Sequence, residues 1–248
     1  MRTRDAAIRE WLDGDVLDEA SLRRNLRDIR VINAALGWTA FTTHEVAKVV
    51  RREQLQRLSL LDVAAGSADM VLAIARWSAR AYLAADLVAT DINPRIVAVA
   101  REQTAGIGSI RVEQQDALAL PYPPGRFDIA LCTLALHHFD PSAATMLLRN
   151  MAHVARHVLV FDVVRSPFAY LGAHLLTRVA RMDAMTRHDA PASVRRAYAR
   201  AELAALAKAA DLRNARLWVG IPFRLALIAS GDTYSADHHE SDTESVGR

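Results

Sequence analysis

The sequence predicts an α/β protein with a doubly wound, mostly parallel sheet of seven strands that ends in an antiparallel hairpin. From Leu58 onward, short apolar runs alternate with helical stretches, which is typical of βαβ units. Five of these runs are nearly continuous in apolar residues, as expected for parallel strands buried on both faces. After the fifth run, two strand-like segments flank Gly220-Ile221-Pro222 and favour a hairpin at the sheet edge.

The elements up to the fifth strand follow in order along the chain. Residues 1–56 show no strand-like alternation, and the apolar residues of 20–36 recur near helical spacing, so this part predicts helices. Pro94 fits the first turn of a helix, where its missing N–H would have been unpaired anyway. The predicted strands are residues 58–63, 87–91, 109–113, 127–132 and 157–161, and the helices between them are 69–80, 94–104 and 142–151.

Beyond the fifth strand the order of elements changes. Residues 167–185 predict an additional helix that ends in a polar loop, and residues 199–210 predict an alanine-rich helix. The hairpin strands are predicted at residues 217–219 and 223–229. We therefore divide the chain into an N-terminal helical lid (1–57), an α/β domain (58–230) and a polar, disordered tail (231–248).

Composition narrows the class of protein. With 248 residues, of which 52% are hydrophobic and 24% charged, the chain can bury one sizeable core. Because 31 basic residues nearly balance 28 acidic ones and no basic stretch is long, we expect no nucleic-acid partner. No apolar run reaches the length of a membrane span and the N-terminus is charged, so we expect a cytoplasmic protein. The single cysteine, Cys132, cannot form an internal disulfide bond.

Acidic residues follow three successive predicted strands. Asp62 ends the first strand before the small residues 64–68 and a helix start, Asp91 ends the second, and Asp116 follows the third. Small residues let a ligand approach the backbone, and a helix N-terminus offers unpaired N–H groups. Open α/β sheets bind ligands at the carboxyl ends of their strands, so these acids predict a ligand site at that edge.

These segments resemble the cofactor-binding motifs of class I S-adenosylmethionine-dependent methyltransferases, whose fold is Rossmann-like. The resemblance covers residues 58–165 and is greatest to small-molecule methyltransferases of ubiquinone and menaquinone biosynthesis. The matching runs are Asp62-Val63-Ala64-Ala65-Gly66-Ser67-Ala68-Asp69 for the first motif, Val88-Ala89-Thr90-Asp91-Ile92 for the second, Gln115-Asp116-Ala117 for the third, and Phe127-Asp128-Ile129-Ala130 with Leu134-Ala135-Leu136-His137-His138-Phe139 for the following strand and loop.

The resemblance implies S-adenosyl-L-methionine as cofactor and assigns its contacts. Asp62 and the backbone of Ala64, Ala65 and Gly66 would hold the methionine end, and Asp91 would accept both ribose hydroxyls. The remaining implied contacts are Ile92 on adenine, Asp116 and the N–H of Ala117 at the adenine amino group, and Thr133 and Leu134 along the methionine and sulfonium.

The chain departs from the family at the glycines of the first motif. Three alternating glycines are usual there, and this sequence has Ala64, Gly66 and Ala68. Because alanine does not readily take a positive φ, we expect ordinary backbone angles at two of the three positions, or looser cofactor binding.

Histidines near the expected position of the methyl group are the candidate bases. Methyl transfer to a phenol requires alignment, exclusion of water and removal of a proton, and a group of near-neutral pKa suits the last task. His137 and His138 follow the fourth strand, and we expect at most one of them to face the ligand, with loop stabilisation as the alternative role. His188, beside Asp189 after the fifth strand, is a third candidate. No ligand spacing typical of a metal site is present, so we expect no metal.

We therefore predict O-methylation of a phenolic, quinone-like or aromatic polyketide-like small molecule. C-methylation of a quinone precursor is the alternative within the same class, and a non-catalytic protein with a vestigial cofactor site is another. A nicotinamide-dependent oxidoreductase fits less well, because Ala64 and Ala68 replace glycines at the phosphate loop and a Tyr-x-x-x-Lys pair is missing. Whether the chain forms a homodimer stays open.

Overall fold

The computed structural model describes residue 1, residues 3–14 and residues 18–233. Two 3₁₀ helices, Trp11–Asp13 and Leu136–His138, accompany the longer elements. The strands are β1 (Arg57–Val63), β2 (Ala84–Asp91), β3 (Ile110–Gln114), β4 (Phe127–Thr133), β5 (Ala155–Val163), β6 (Arg213–Gly220) and β7 (Arg224–Ser230). The helices are α1 (Glu19–Ala35), α2 (Trp38–Arg52), α3 (Asp69–Arg80), α4 (Pro94–Thr104), α5 (Pro141–Val154), α6 (Pro167–Val179), α7 (Ala184–Arg196) and α8 (Arg200–Ala209).

The seven strands form one sheet in the order β3-β2-β1-β4-β5-β7-β6. Strands β1 to β5 are parallel, whereas β7 pairs antiparallel with both β5 and β6. The predicted fold class is therefore confirmed, including the terminal hairpin. The strand order reverses between β1 and β4, and such a switch point opens a crevice at the carboxyl ends of the strands.

Side chains of β1 alternate between the two faces of the sheet, and each face has its own core. Leu58 and Leu60 belong to one buried cluster, which also contains residues of α2 and α3. Leu61 and Val63 belong to the other cluster, which contains residues of α5 and α8. Both faces are thus covered by helices, and this is why the strands are apolar without alternation.

Local sequence signals set the starts of the helices. The Asn93 side chain accepts a hydrogen bond from the Arg95 N–H (2.9 Å) ahead of Pro94, and Asp140 accepts from the Ala143 N–H (2.9 Å) ahead of Pro141. A capping side chain followed by proline satisfies the first N–H groups and fixes φ for the helix. The predicted bounds 69–80 and 94–104 coincide with those of α3 and α4.

The segment after β5 differs from the prediction. The predicted helix 167–185 ends at Val179, and the expected polar loop is largely a second helix, α7. Arg181 adopts a left-handed backbone (φ 50°) between the two, and the Asp183 side chain accepts from the Met185 N–H (3.0 Å) to start α7. The sequence of α7 did not indicate a helix, because the buried positions of this helix include polar residues and its interior contains Pro191.

The predicted boundaries also need correction at both ends. The predicted lid, residues 1–57, includes α2, but Val46 and Val49 on that helix are buried in the sheet core, so α2 is part of the α/β body. Of the predicted disordered tail, Gly231 and Asp232 are packed, with their N–H groups donating to the carbonyls of Arg156 and Ala152. Residues 234–248 of that tail lie outside the described residues. None of the helices described here combines the length and apolar character needed to cross a bilayer.

Candidate active site

A cavity of about 940 Å³ opens at the carboxyl ends of β1, β2, β4 and β5. This volume is near the upper end of the roughly 300–1,000 Å³ typical of ligand pockets, so it has room for a cofactor together with an acceptor. One wall is polar and consists of the loops after the strands. The apolar wall is formed mainly by side chains of α1 and α6 together with Trp38, Phe139 and Phe223.

The loop after β1 places all three motif positions in the left-handed region. Ala64, Gly66 and Ala68 have φ of 54°, 55° and 63°. The expectation of ordinary angles at the two alanines is therefore wrong. The loop is held in this shape by its neighbours, since the Ala65 N–H donates to the Thr90 carbonyl of β2 (2.8 Å). The chain thus keeps the backbone shape expected of glycines at the cost of steric strain at two alanines.

Asp62 is part of the polar wall and is almost completely buried. Its Oδ2 has no hydrogen-bond partner in the structure, and the same is true of the Ser67 and Thr133 hydroxyls, which also line the cavity. Burial raises the pKa of Asp62 well above its usual range, and the nearby carboxylates of Asp69 and Asp91 raise it further. Buried polar groups without partners are uncommon, so this wall has the character of a site for a polar, positively charged ligand.

Asp91 is oriented by the backbone around it. Its Oδ2 accepts from the Gly66 N–H (3.1 Å) and its Oδ1 accepts from the Asn93 N–H (3.0 Å). Burial raises the pKa of its carboxyl group. The next residue, Ile92, is exposed and lies on the cavity wall, where an apolar surface is available for a planar ring.

The other predicted cofactor residues fall into two groups. Thr133 and Leu134 line the cavity, and the Leu134 N–H donates to the Phe161 carbonyl (2.7 Å). Asp116 and Ala117 are not among the residues that line it, and the Asp116 Oδ1 accepts from the Leu118 N–H (2.8 Å) in its own turn. A role for these two residues at the adenine stays a prediction.

His137 and His138 both face the buried carboxylate of Glu10. Their Nε2 atoms lie 3.5 and 3.8 Å from the two carboxylate oxygens of Glu10, and their rings are 4.4 Å apart. The expectation that at most one histidine faces the cavity is therefore wrong. It assumed the alternation of an extended chain, whereas the two residues lie in a 3₁₀ helix, and both line the cavity.

Each of the two rings is also held by a second carboxylate. The Nδ1 of His137 lies 2.8 Å from Asp162 Oδ1, and the Nδ1 of His138 lies 2.8 Å from Asp13 Oδ1. Burial opposes the charged form of His138, but Glu10 and Asp13 outweigh it and raise the pKa of His138 to about 9. His138 is therefore an imidazolium at neutral pH.

Glu10, His137 and His138 place their potential ligand atoms within 4.8 Å of one another, which is compatible with a metal ion. The Arg196 guanidinium, however, lies 3.8 Å from Glu10 and 2.6 Å from Asp13. A divalent cation would have to displace the proton of His138 beside that guanidinium. The cluster fits a buried ion-pair network better than a metal centre.

The structure does not bring His188 to the cavity wall. Its ring stacks on Trp11, with centroids 4.4 Å apart, and its Nδ1 lies 2.7 Å from Asp189 Oδ1. Asp189 itself lines the cavity and accepts from the N–H groups of Trp11 and Leu12. The position of His188 thus favours a structural contact with the N-terminal segment over a role as base.

Sequence reasoning missed Glu10 and Asp13 as site residues. Both lie in the N-terminal segment, more than 120 residues from the histidines they contact, and no motif surrounds them. Asp162 could have been found from the sequence, because it lies next to the last residue of β5, as Asp62 does in β1.

The strand order and the acids at the strand ends define a Rossmann-like protein with a ligand site at its topological switch point. Comparison with known proteins supports this class of protein. Residues 60–157 match a family model described as a methyltransferase domain. The chain is 32% identical over 81 residues to a demethylmenaquinone methyltransferase of Deinococcus radiodurans, which is 32% of either chain. It is 27% identical over 143 residues to the ubiquinone/menaquinone biosynthesis C-methyltransferase of Edwardsiella ictaluri, covering 52% of this chain and 54% of that protein.

Solved structures share the fold over a longer part of the chain. A SAM-dependent methyltransferase from Aquifex aeolicus aligns with a TM-score of 0.58 and 14% identity, covering 86% of this chain and 98% of that one. Human N-acetylserotonin methyltransferase aligns with a TM-score of 0.61 and 15% identity, covering 86% of this chain and 56% of that one.

The match to a methyltransferase domain, the curated relatives and the shared fold together support a class I S-adenosylmethionine-dependent methyltransferase. Its matches span about a third to a half of the length of the curated relatives.

Proposed function

We propose that this protein transfers the methyl group of S-adenosylmethionine to a hydroxyl group of a phenolic, quinone-like or aromatic polyketide-like small molecule. One observation carries the proposal. A single cavity joins the carboxylates at the ends of β1 and β2 to the cluster of Glu10, His137 and His138. The carboxylates suit the binding of the cofactor, and the cluster suits the removal of a proton from an acceptor.

The charge of the cavity favours this cofactor over a dinucleotide. Among the described residues that line the cavity, six are acidic and one is an arginine. S-adenosylmethionine carries a sulfonium and an ammonium group, which such a wall attracts, whereas a pyrophosphate would be repelled. The lining acids are Glu10, Asp13, Asp62, Asp69, Asp91 and Asp189, and the arginine is Arg95.

The bound cofactor supplies an electrophilic methyl group, and the protein's own residues position the partners. Asp91 is oriented to accept ribose hydroxyls, and the unpartnered Oδ2 of Asp62 is free to accept from the ammonium group. The apolar wall excludes water from the reacting groups. These contacts align donor and acceptor, which is the main requirement of a direct displacement.

His137 is the group placed to take the acceptor's proton. Its Nδ1 lies against Asp162, so its Nε2, which is 3.5 Å from Glu10 Oε1 at the cavity wall, is the ring atom left to take the proton. The His138 imidazolium beside it favours the ionised form of an acceptor hydroxyl. We therefore assign the base to His137 and electrostatic stabilisation to His138.

C-methylation of a quinone precursor is the second candidate. It is favoured by the two curated relatives named above, one of which is described as a C-methyltransferase. The products distinguish the two reactions, because an O-methyl ether and a C-methylated ring give different fragmentation and proton spectra.

The setting of the reaction is part of the proposal. We propose a lid made of residues 3–14, α1, α6 and α7 over a body that comprises α2 and the sheet. We further propose a cytoplasmic protein with no nucleic-acid partner, in line with its unpaired, buried Cys132 and nearly balanced charge.

Calorimetric titration with S-adenosylmethionine and, separately, with NADH tests the cofactor. We expect binding of the sulfonium compound alone, and a loss of at least tenfold in affinity for Asp91→Ala. Glu102→Ala is the comparison variant, since that side chain is exposed on α4 and lies off the cavity wall. Binding of NADH, or of neither compound, would overturn the proposal. Cofactor binding without transfer to any phenol or quinol would indicate the non-catalytic alternative.

A further inference from the structure

Helix α6 is rich in apolar residues yet poorly buried. Only Ala169 and Thr177 of its thirteen residues are buried. Phe168 and Val179 are 75% and 82% exposed, and Leu171 and Leu175 are each about half exposed. The spacing of these four residues, 168, 171, 175 and 179, places them on one face of the helix. The helix thus presents an apolar stripe to solvent.

The adjoining side of α6 faces the cavity. Gly172, Ala173 and Leu176 line it together with Ala169. The helix therefore separates the ligand cavity from the surroundings by a single layer, and it is apolar on both sides. Its packing is mainly on α7, since only that element shares extensive contact with it in the described structure.

The charged residues nearest to the stripe along the chain are positive. Residues 163–182 contain no Asp or Glu. Arg178 and Arg181 lie at the C-terminal end of the helix, and both are exposed. An apolar helix face with arginines beside it is typical of segments that lie in the interface of a membrane containing anionic lipids.

We propose that the outer face of α6 docks on the surface of an anionic lipid bilayer. The area of the stripe argues for a bilayer over a second copy of the chain. A thirteen-residue helix is ~20 Å long and ~10 Å wide, so its face offers ~200 Å². A stable protein interface buries about 800 Å² per partner. Interfacial insertion has no such minimum, because apolar burial and lipid charge act together.

Docking at this face brings the cavity wall to the lipid surface. This consequence rests on the proposed function: the acceptor would be a lipophilic molecule that passes between the bilayer and the cavity beside α6. The docking itself requires no catalysis and is measured without cofactor or acceptor.

Sedimentation with vesicles tests the proposal. The full chain is mixed with vesicles of phosphatidylcholine alone and with vesicles that contain 30% phosphatidylglycerol, a composition of about one anionic lipid in three. We expect the wild-type protein to bind the anionic vesicles. The double variant Phe168→Gln/Val179→Gln, the stripe variant, should bind them at least tenfold more weakly. Tyr82→Gln is the matched control, because Tyr82 is 97% exposed at the end of α3, outside the stripe. Arg178→Gln/Arg181→Gln should bind less and lose most of its dependence on salt.

The outcomes are distinct from those of the cofactor test. Absence of vesicle binding, or equal binding by the stripe variant and the Tyr82 control, would overturn the proposal whatever the result with cofactor. A dimer in light scattering that the stripe variant abolishes, without vesicle binding, would assign the face to a second copy instead. Circular dichroism and thermal unfolding of each variant verify that it is folded.

Discussion

Two alanines in the loop after β1 adopt a backbone conformation that favours glycine. Ala64 and Ala68 have φ of 54° and 63°. A left-handed conformation costs an L-residue roughly 1–2 kcal/mol, and glycine avoids this strain but adds entropy to the unfolded chain, by about 0.4–1 kcal/mol. The strain must be compensated elsewhere in the fold, and a loop that lines a ligand cavity is a place where such strain is commonly found.

We predict that Ala64→Gly raises the free energy of unfolding by roughly 0.5–1 kcal/mol. Ala65→Gly is the control, since Ala65 is absent from the positive-φ residues of the loop and should lose stability on substitution. Urea unfolding of both variants checks this. Destabilisation of Ala64→Gly equal to that of the control would show that φ strain does not govern the loop.

The raised pKa of His138 makes the stability of the folded protein decrease as the pH becomes alkaline. Its pKa in the folded protein is about 9, above the ordinary value of 6.5. A raised histidine pKa contributes stability that is fully present below pH 6.5 and is lost as the pH rises through 9. The groups that face it are Glu10, Asp13, Arg196 and His137.

We predict that the free energy of unfolding of the wild-type protein falls by on the order of 2–3 kcal/mol relative to that of His138→Gln between pH 6.5 and 10. The measurement is the difference between their unfolding free energies across that range, which cancels the titration of unrelated groups. A difference that does not change with pH would contradict the raised pKa.

At the scale of elements, the N-terminal segment is fastened to α7 by polar contacts. Asp189 accepts the N–H groups of Trp11 and Leu12 at 2.8 and 3.0 Å, and the Ser193 hydroxyl donates to Glu10 (2.9 Å). These contacts place Glu10 against the histidines. Because few apolar side chains take part, we expect the segment to open more readily than the core.

We predict that Asp189→Ala speeds tryptic cleavage after the exposed Arg9 by at least fivefold, a rate that reports local opening. His188→Ala is the control, since it removes the ring stacked on Trp11 but leaves the two backbone hydrogen bonds. In the wild type, S-adenosylhomocysteine should slow the cleavage if the segment closes over the site. Equal cleavage with and without this product would count against a lid.

At the scale of the whole molecule, stability depends on the centre of the sheet. Leu131 on β4 is completely buried, whereas Val219 on the edge strand β6 is about half exposed. We predict that Leu131→Ala lowers the free energy of unfolding by about 2–5 kcal/mol and that Val219→Ala lowers it by under ~1 kcal/mol. Thermal and urea unfolding of the two variants compare them. Similar losses would mean that the edge hairpin carries as much of the stability as the centre.

The fold was predictable because its signals are local. Continuous apolar runs indicate buried parallel strands, capping residues before Pro94 and Pro141 start helices, and Asp62 and Asp91 end strands at the same sheet edge. The segment from 180 to 196 was not predictable in this way. Its helix α7 is determined by packing on the N-terminal segment and α6, which overrides a weak pattern and an internal proline.

By itself, the sequence determined the class of sheet, the order of its strands and the placement of Asp62 and Asp91 at one sheet edge, since each depends on residues close together in the chain. Only the tertiary structure decided the rest. It brought Glu10 and Asp13 to His137 and His138, turned both histidines to one carboxylate, and left the apolar face of α6 uncovered. The physical reason is that contacts between residues more than a hundred positions apart depend on how the helices pack, and no local pattern encodes that packing.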